Sequence, residues 1–223
     1  MTNFFFVRHG KTEWNLEGRL QGAHGDSPLL PASYRDITRL ANYLKHERLH
    51  FQAIYTSPLL RAQTTAVFIS ENLNQPNLPI YLEKDLREFN LGLMEGKTYQ
   101  EVEGKYPHEV DAFRYRPDQF QAERIQAESF SQLILRMRRV IVAISQRYPQ
   151  DSANILVVSH GAALTALMQS LLGTPLKDLR KDGGLANTSL TELATHDQGR
   201  TFQKIRWNET SYLGKKLGAS DSV

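Results

Sequence analysis

FFFVRHG at residues 4–10 and ILVVSHG at residues 155–161 share one pattern: four apolar residues, one polar residue, and then His-Gly. Four apolar residues in succession favour a strand that is buried on both faces of a parallel sheet. Ligands of open α/β sheets bind beyond the carboxyl ends of such strands. The two segments therefore predict that His9 and His160 meet in one crevice, where Gly10 and Gly161 let the backbone approach a ligand closely.

Outside these two strands, short apolar runs alternate with helical patterns. The runs predict further strands at residues 53–56, 80–82, 190–193 and 202–207, and the helical spacings predict helices at residues 33–47, 59–73, 129–146 and 161–172. Ser33 is expected to start the first helix, and Ser57-Pro58 is typical of a helix start in which Ser is the N-cap. The alternation predicts an α/β fold of three layers, with a mostly parallel central sheet covered by helices on both faces.

Residues 92–126 interrupt this alternation because they are polar and contain two prolines. Short helices are predicted there at residues 99–106 and 109–115, and an insertion of this length in a compact α/β domain is typical of a lid over a ligand site. We expect one domain over residues 1–213. The small, polar residues 214–223 predict a flexible tail.

The composition excludes several kinds of protein. The 223 residues include 27 Lys and Arg and 24 Asp and Glu, for a formal net charge of +3. The chain has no cysteine, which excludes a disulfide scaffold, a thiolate nucleophile and Cys-ligated metals. The cluster of Arg136, Arg138 and Arg139 lies in an amphipathic pattern that would place much of its charge in solvent, so we expect no nucleic-acid partner. Without a basic leader segment or an apolar run near ~18 residues, the chain is expected to be soluble and cytoplasmic, with no membrane partner.

Charged residues near the predicted strand ends indicate an anion site. Arg8 precedes His9 and cannot be buried without a partner, and Arg61 lies in the first turns of the helix in SPLLRAQTTA, residues 57–66. A guanidinium is a planar, bidentate donor that suits phosphate oxygens. Glu88, in LREFNLGLMEG at residues 86–96, could donate a proton to a leaving oxygen and then accept one from water. Glu95 in the same segment is an alternative for that role.

Taken together, these motifs resemble the histidine phosphatase superfamily, also called the phosphoglycerate-mutase-like family. RHGKTEWNLEGRLQG at residues 8–22, SPLLRAQTTA, LREFNLGLMEG and VVSHG at residues 157–161 follow the family's motifs in the same order. The resemblance covers the chain from Asn3 to about Trp207. It implies the phosphoglycerate-mutase-like α/β fold.

The resemblance also implies a role for each matching residue. His9 would be the nucleophile that becomes phosphohistidine, and Glu88 would be the general acid and base. The remaining contacts would come from Arg8, Arg61 and His160 on the phosphate oxygens, with Asn15, Gln21, Gly22 and Gly161 completing the pocket. No metal and no cofactor is implied, and the expected partner is a small phosphorylated metabolite. The sequence does not choose between a monomer and a homodimer.

Three activities fit this resemblance, and the sequence favours hydrolysis. The mutase branch carries a tyrosine three residues after the catalytic glutamate and a longer insertion with a basic clamp. Here Leu91 stands at the tyrosine position, and the insertion is short. Other possible mutase contacts are Arg114, Arg116, Lys97 and His24. The alternatives to a phosphatase are thus a 2,3-bisphosphoglycerate-dependent mutase and a catalytically idle phosphate-binding domain, although idle relatives usually lack one of the two histidines.

Two positions depart from the family pattern. Lys11 replaces the acidic residue or glutamine that usually follows RHG, where it either tunes substrate choice or faces solvent. Ala127 replaces a glycine, and the following Glu128 and Ser129 are typical of a helix start with a structural role.

Overall fold

The computed structural model describes residues 1–148 and 152–222, and its centre is a six-stranded sheet. The strands are β1 (Thr2–Arg8), β2 (Ala53–Thr56), β3 (Ile80–Leu82), β4 (Ala153–Ser159), β5 (Leu190–Thr195) and β6 (Gln203–Glu209). Their order across the sheet is β3-β2-β4-β1-β5-β6. The pairs β3–β2, β2–β4 and β4–β1 are parallel, and β5 runs antiparallel to both of its neighbours. The predicted mostly parallel sheet is confirmed.

Helices cover both faces of this sheet. They are α1 (Glu13–Leu16), α2 (Pro31–His46), α3 (Leu60–Asn72), α4 (Tyr99–Lys105), α5 (Pro107–Tyr115), α6 (Phe130–Arg147) and α7 (Gly161–Leu171), with short 3₁₀ turns such as Lys84–Leu86, Gly92–Met94 and Ala219–Asp221. Among the described residues, no helix combines the length and the apolar character needed to cross a bilayer.

The alternation of side chains along β1 separates two apolar clusters. Phe4 and Phe6 pack with α6 and α7 on one face, and Phe5 and Val7 pack with α2 and α3 on the other. Successive side chains of a strand point to opposite faces, so one strand contributes to both layers. The three-layer prediction is therefore confirmed, and β1 and β4 lie in the middle of the sheet with their carboxyl ends at the same edge.

Two helix starts differ from the sequence-based expectation. Helix α2 begins at Pro31, not Ser33, because proline is pre-organised for the first helical position. Helix α3 begins at Leu60, and Leu59 in the N-cap position makes no side-chain hydrogen bond. The Ser57 hydroxyl, predicted as the cap, accepts from the Leu59 amide at 3.3 Å and lies 2.7 Å from Nε2 of His160. Ser57 thus links the start of this helix to the second histidine.

The insertion at residues 92–126 packs against the rest of the domain through apolar side chains. It contains α4 and α5, close to the short helices predicted there, and Thr98 caps α4 in a capping box with Glu101. Phe113 of α5 makes an edge contact with Phe89, with ring centroids 5.2 Å apart, and packs with Phe130 of α6 at 5.5 Å. The insertion therefore shares an aromatic cluster with Phe89 and α6, and its role as a lid stays a prediction.

The carboxyl-terminal segment, predicted to be a flexible tail, runs back to the carboxyl ends of β1 and β4. Lys11 donates to the Asp221 carboxylate at 3.1 Å, and the Asn187 amide donates to the Asp221 carbonyl at 2.7 Å. Lys215 pairs with Asp36 of α2 at 2.5 Å. The described part of the tail thus contacts Lys11, next to the His9-Gly10 turn, and Val223 lies outside the described residues. The single-domain boundary at residue 213 and the mobility of the tail stay predictions.

Candidate active site

A narrow pocket of about 50 Å³ opens at the carboxyl ends of β1 and β4. An enclosed water needs about 10–15 Å³ of pocket volume, so this pocket has room for roughly three to five waters. That volume suits one phosphoryl group. Of the residues predicted for the site, those that line it are Arg8, His9, Asn15, Gln21, Arg61, Glu88 and Gly161. Distant motifs thus converge on one cavity, as the paired His-Gly segments predict.

His9 is held at the end of β1 as a neutral imidazole, and within residues 1–148 and 152–222 only its Nδ1 atom has a hydrogen-bond partner. Its Nδ1 atom lies 2.8 Å from the Gly10 carbonyl, which can only accept, so Nδ1 carries the proton and donates it. Burial, and then the positive charges of Arg61 and Arg8, hold the pKa of His9 well below its usual value. Nε2 therefore keeps an unprotonated lone pair, as a nucleophile requires.

His160 packs against His9 from the adjacent strand. The two ring centroids are 5.2 Å apart, with the planes at 62°. Burial, and then Arg61, hold the pKa of His160 well below its usual value. Its Nε2 lies 2.7 Å from the Ser57 hydroxyl, and its buried Nδ1 has no hydrogen-bond partner within the described part of the chain. His160 is fully buried beside His9 and, unlike Gly161, is not among the residues that line the pocket.

Arg8 is fixed by two backbone carbonyls from later parts of the chain. Its Nη1 donates to Leu185 at 2.5 Å and to Asp221 at 3.2 Å, and its Nε has no acceptor among residues 1–148 and 152–222. Burial lowers the pKa of Arg8 to about 10, which leaves it charged at neutral pH. A side chain at Gly161 would place its Cβ only 3.0 Å from Arg8 Nε. Gly161 therefore makes room for this guanidinium.

Arg61 reaches the pocket from the first turn of α3. Its Nη1 donates to the Gly25 carbonyl at 2.8 Å and to Asp26 at 3.0 Å, and its Nη2 donates to the Gly22 carbonyl at 2.9 Å. Burial lowers the pKa of Arg61 despite the attraction of Asp26. Gly22 was predicted as a substrate contact but is not among the lining residues, because its carbonyl faces Arg61. Its φ of +62° favours glycine at this turn.

Glu88 lies against the amino-terminal end of α7. Its carboxylate accepts from the Ala163 amide at 2.8 Å, the Ala162 amide at 3.2 Å and its neighbour Phe89 at 2.8 Å. The amides at a helix amino terminus lack partners within the helix, so a carboxylate fits there. The first turn of α7 thus orients Glu88 next to the His160-Gly161 turn.

Arg136 holds the segment that carries Glu88. It donates to the carbonyls of Asp85 at 2.6 Å, Arg87 at 3.0 Å and Glu88 at 3.0 Å, and it pairs with Glu128 at 2.5 Å. Of the cluster expected to place much of its charge in solvent, Arg139 is exposed, whereas Arg136 is partly buried against this turn. α6 runs beside the turn at residues 84–88, and the carbonyls of that turn need a donor.

The competing carboxylate, Glu95, has a structural role. It accepts from the backbone amides of Ala23 at 2.9 Å, His24 at 3.1 Å and Leu91 at 3.0 Å. Glu95 does not line the pocket. It joins the loop after α1 to the start of the insertion, so Glu88 is the carboxylate placed at the cavity.

The two predicted amide side chains are positioned differently. Asn15 Oδ1 accepts from the Thr12 amide at 3.2 Å and from Asn187 at 3.3 Å, which leaves its own NH₂ group for the pocket. Gln21 donates to the Thr12 hydroxyl at 2.9 Å and accepts from Ser27 at 3.2 Å. Gln21 therefore shapes the wall, whereas Asn15 offers a donor.

The four side chains named as possible mutase contacts are bound elsewhere. Arg114 pairs with Glu103, Arg116 pairs with Asp111, Lys97 donates to the Leu93 carbonyl at 2.7 Å, and His24 pairs with Glu95 at 3.1 Å. None of them is among the residues that line the described cavity. Lys11, the other unusual cation, pairs with Asp221 of the tail.

Tyr99 and Arg180 line the pocket but were not identified from the sequence. Burial raises the pKa of the Tyr99 hydroxyl and lowers that of Arg180. Neither residue belongs to a motif with a known spacing, and each reaches the cavity through the packing of the insertion and of the loop after α7. Among the described residues, no three or more His, Asp or Glu side chains are grouped to hold a metal ion.

Comparison with known proteins agrees with this arrangement. The sequence profile of the histidine phosphatase superfamily (branch 1) matches residues 4–209. An uncharacterized phosphatase, PhoE, of Bacillus subtilis is 33% identical over 173 residues, which cover 78% of this chain and 79% of that protein. A probable phosphoglycerate mutase, GpmB, of Yersinia enterocolitica is 33% identical over 98% of this chain and 93% of its own. The solved structure of YhfR from Bacillus stearothermophilus has a TM-score of 0.85 at 32% identity and covers 96% of this chain and 100% of that one.

Proposed function

The chain belongs to the histidine phosphatase superfamily, and from that premise we propose that it hydrolyses a small phosphomonoester through a phosphohistidine on His9. The observation that carries the proposal is the state of His9: a buried, neutral imidazole whose Nδ1 is bound to Gly10 and whose Nε2 is free beside Arg8 and Arg61. Such a nitrogen can attack phosphorus while the arginines neutralise the phosphoryl oxygens.

In the first step, the Nε2 lone pair of His9 forms a bond to phosphorus and the bond from phosphorus to the ester oxygen breaks. Glu88, in its protonated form, donates its proton to the departing oxygen, so the product leaves as an alcohol. Arg8 and Arg61 bind the three remaining phosphoryl oxygens. Because phosphoryl transfer depends mainly on positioning and on neutralisation of charge, these contacts supply most of the catalysis.

In the second step, the Glu88 carboxylate accepts a proton from a water molecule as the water oxygen attacks phosphorus. The P–N bond breaks, inorganic phosphate forms, and both His9 and Glu88 return to their starting states. Covalent catalysis of this kind splits one difficult displacement into two easier ones. The amides of Ala162 and Ala163 keep Glu88 in position throughout both steps.

His160 and Asn15 complete the phosphoryl site in this proposal. The Ser57 hydroxyl lies 2.7 Å from His160 Nε2, and we infer that it donates there, so that the imidazole proton is on Nδ1, the nitrogen that has no partner in the described ranges. That N–H then donates to a phosphoryl oxygen when a phosphoryl group is attached to the neighbouring His9. The NH₂ group of Asn15, which lines the pocket, donates to another phosphoryl oxygen.

Hydrolysis is favoured over the mutase reaction because of what surrounds the cavity. A mutase must hold a second phosphate and keep water from the phosphohistidine. The basic residues proposed for that task, Arg114, Arg116 and Lys97, are bound to partners outside the pocket. We expect 3-phosphoglycerate, if it is accepted, to release phosphate faster than it converts to 2-phosphoglycerate. The opposite order of rates would establish the mutase.

The proposal is tested with an aryl phosphate and two histidine variants. His9→Ala should abolish phosphate release, whereas His108→Ala, which alters an exposed histidine of α5, should leave it unchanged. EDTA should leave the wild-type rate unchanged. Activity that survives in His9→Ala, or that disappears with EDTA, would overturn the proposal. A wild-type protein that binds phosphate without turnover would instead be an idle phosphate-binding domain.

A further inference from the structure

Arg180 brings a further positive charge to the pocket, in addition to Arg8 and Arg61, which bind the phosphoryl oxygens in the proposed mechanism. Its guanidinium carbon lies 5.0 Å from the centre of the Phe113 ring, so the ring supports one face of the guanidinium. Its Nε and Nη1 atoms are enclosed and have no acceptor among the residues that the structure describes. Buried donors without acceptors are costly, so an unmet guanidinium at a cavity wall indicates a missing anion.

The other arginines at this pocket either have partners within the protein or are assigned to the phosphoryl group. Arg61 pairs with Asp26 at 3.0 Å, and Arg19 pairs with Glu17 at 3.0 Å and donates to the Gly96 carbonyl at 2.6 Å. Arg8 donates to two carbonyls and lies beside His9. Arg180 has no ion pair among the described residues, so its charge is available to a ligand.

The position of Arg180 relates it to the leaving group of the substrate. Glu88, which protonates the leaving oxygen in the proposed mechanism, attracts Arg180 as well as Arg8. The positive charges of Arg180 and Arg8 both act to lower the pKa of the Tyr99 hydroxyl, which burial raises. Arg8, Glu88, Tyr99 and Arg180 line one pocket, and Glu88 and Tyr99 are near enough to both arginines to interact with their charges. A group on the leaving oxygen that lies in this pocket therefore comes close to the Arg180 guanidinium.

We propose that Arg180 binds a carboxylate on the leaving group, so that the substrates of this enzyme are small phosphorylated carboxylic acids. This inference rests on the proposed phosphatase function. A carboxylate matches the planar, two-pronged donor edge of a guanidinium. One available cation balances one negative charge, whereas a second phosphate, with a charge of about −2, would call for a second cation.

The test compares two substrates that differ only in the predicted anion. 3-Phosphoglycerate carries a carboxylate where glycerol 3-phosphate carries a hydroxymethyl group. For the wild type we expect a higher kcat/KM with 3-phosphoglycerate. Arg180→Gln should lower the ratio of the two kcat/KM values by roughly ten- to a hundredfold, the range for a lost hydrogen-bonded charge pair. Arg180→Lys should recover part of that ratio, because lysine keeps the positive charge but lacks the two parallel donors of the guanidinium.

Arg116→Gln is the matched control, since Arg116 belongs to the insertion, pairs with Asp111 and lies outside the pocket. Its substrate ratio should equal that of the wild type. Equal losses with both substrates in Arg180→Gln would overturn the inference and make Arg180 a support of the phosphoryl site. An unchanged ratio in Arg180→Gln would overturn it as well.

A binding measurement separates this inference from the proposed function. In the His9→Ala background, which should not turn over, calorimetry gives Kd for both compounds with Arg180 and with Gln at position 180. Tighter binding of 3-phosphoglycerate that depends on Arg180 supports the carboxylate site even where the wild type proves inactive. Equal binding of both compounds contradicts it, whatever the wild type hydrolyses.

Discussion

Replacement of Gly161 by alanine tests the placement of Arg8 with a single methyl group. The added Cβ would lie 3.0 Å from Arg8 Nε and 3.2 Å from its guanidinium carbon, whereas ordinary contacts begin at 3.4 Å. The guanidinium must therefore move by about 0.4 Å. It cannot move without cost, because the carbonyls of Leu185 and Asp221 hold its Nη1.

The size of the effect follows from that displacement. A misplacement of about 1 Å costs on the order of a hundredfold in rate, so a shift of ~0.4 Å should lower kcat/KM about sixfold. Stability should not fall by a comparable factor, because alanine is a better helix former than glycine by up to about 1 kcal/mol and Gly161 has no positive φ. Gly161→Ala should therefore lower kcat/KM while it leaves the free energy of unfolding unchanged or raises it.

The assay is steady-state hydrolysis of an aryl phosphate, together with urea unfolding of the same preparations. Gly104→Ala is the matched control, because Gly104 lies in α4 and a Cβ there would meet nothing within 4 Å. It should keep full activity. An unchanged kcat/KM in Gly161→Ala would refute the assignment of Arg8 to the phosphoryl site. A loss of several kcal/mol of stability would show that the clash falls on the packing of the helix and not on Arg8.

Three further predictions concern pH, the tail and the support of Glu88. The buried histidines at positions 9 and 160 have lowered pKa values, so their contribution to stability is complete above the unfolded pKa of about 6.5 and is lost as the pH falls. The free energy of unfolding measured with urea should fall by about 2 kcal/mol between pH 6.5 and 5.5, and His9→Ala should show roughly half that drop. Removal of residues 214–223 takes an acceptor from Arg8, so kcat/KM for an aryl phosphate should fall about tenfold, and full activity would contradict the role of the tail. Arg136→Met removes the donors that hold the Glu88 turn and should lower kcat at least tenfold, with circular dichroism as the control for folding; an unchanged kcat would show that α7 alone positions Glu88.

Much of the fold could be predicted because its signals are local. The apolar run in β1 and the alternation of strands with helices are written in consecutive residues, and β2 and β3 have the bounds predicted for them. The starts of α2 and α3 were less predictable. At Ser57 the local capping pattern competes with a contact to His160, which lies 103 positions later in the chain.

The candidate site divides in the same way. The residues of the sequence motifs, such as His9 and Glu88, were identifiable because their spacing marks them. The contacts of Arg136 were not predictable, since an amphipathic pattern shows which face of a helix is apolar but not which carbonyls its polar face will meet. Arg180 reaches the pocket, and the Asp221 carbonyl reaches Arg8, only through long-range packing. No sequence signal marked either of them.

In the proposed mechanism His9 carries the phosphoryl group on Nε2, because Nδ1 is bound to the Gly10 carbonyl. Rapid acid-free quenching of the protein with a ³²P-labelled phosphomonoester, followed by peptide mapping and ³¹P NMR, measures this directly. We expect acid-labile label on the peptide that contains His9, attached at Nε2, and no label in His9→Ala. Label on another residue, attachment at Nδ1, or turnover without any phosphohistidine would contradict it.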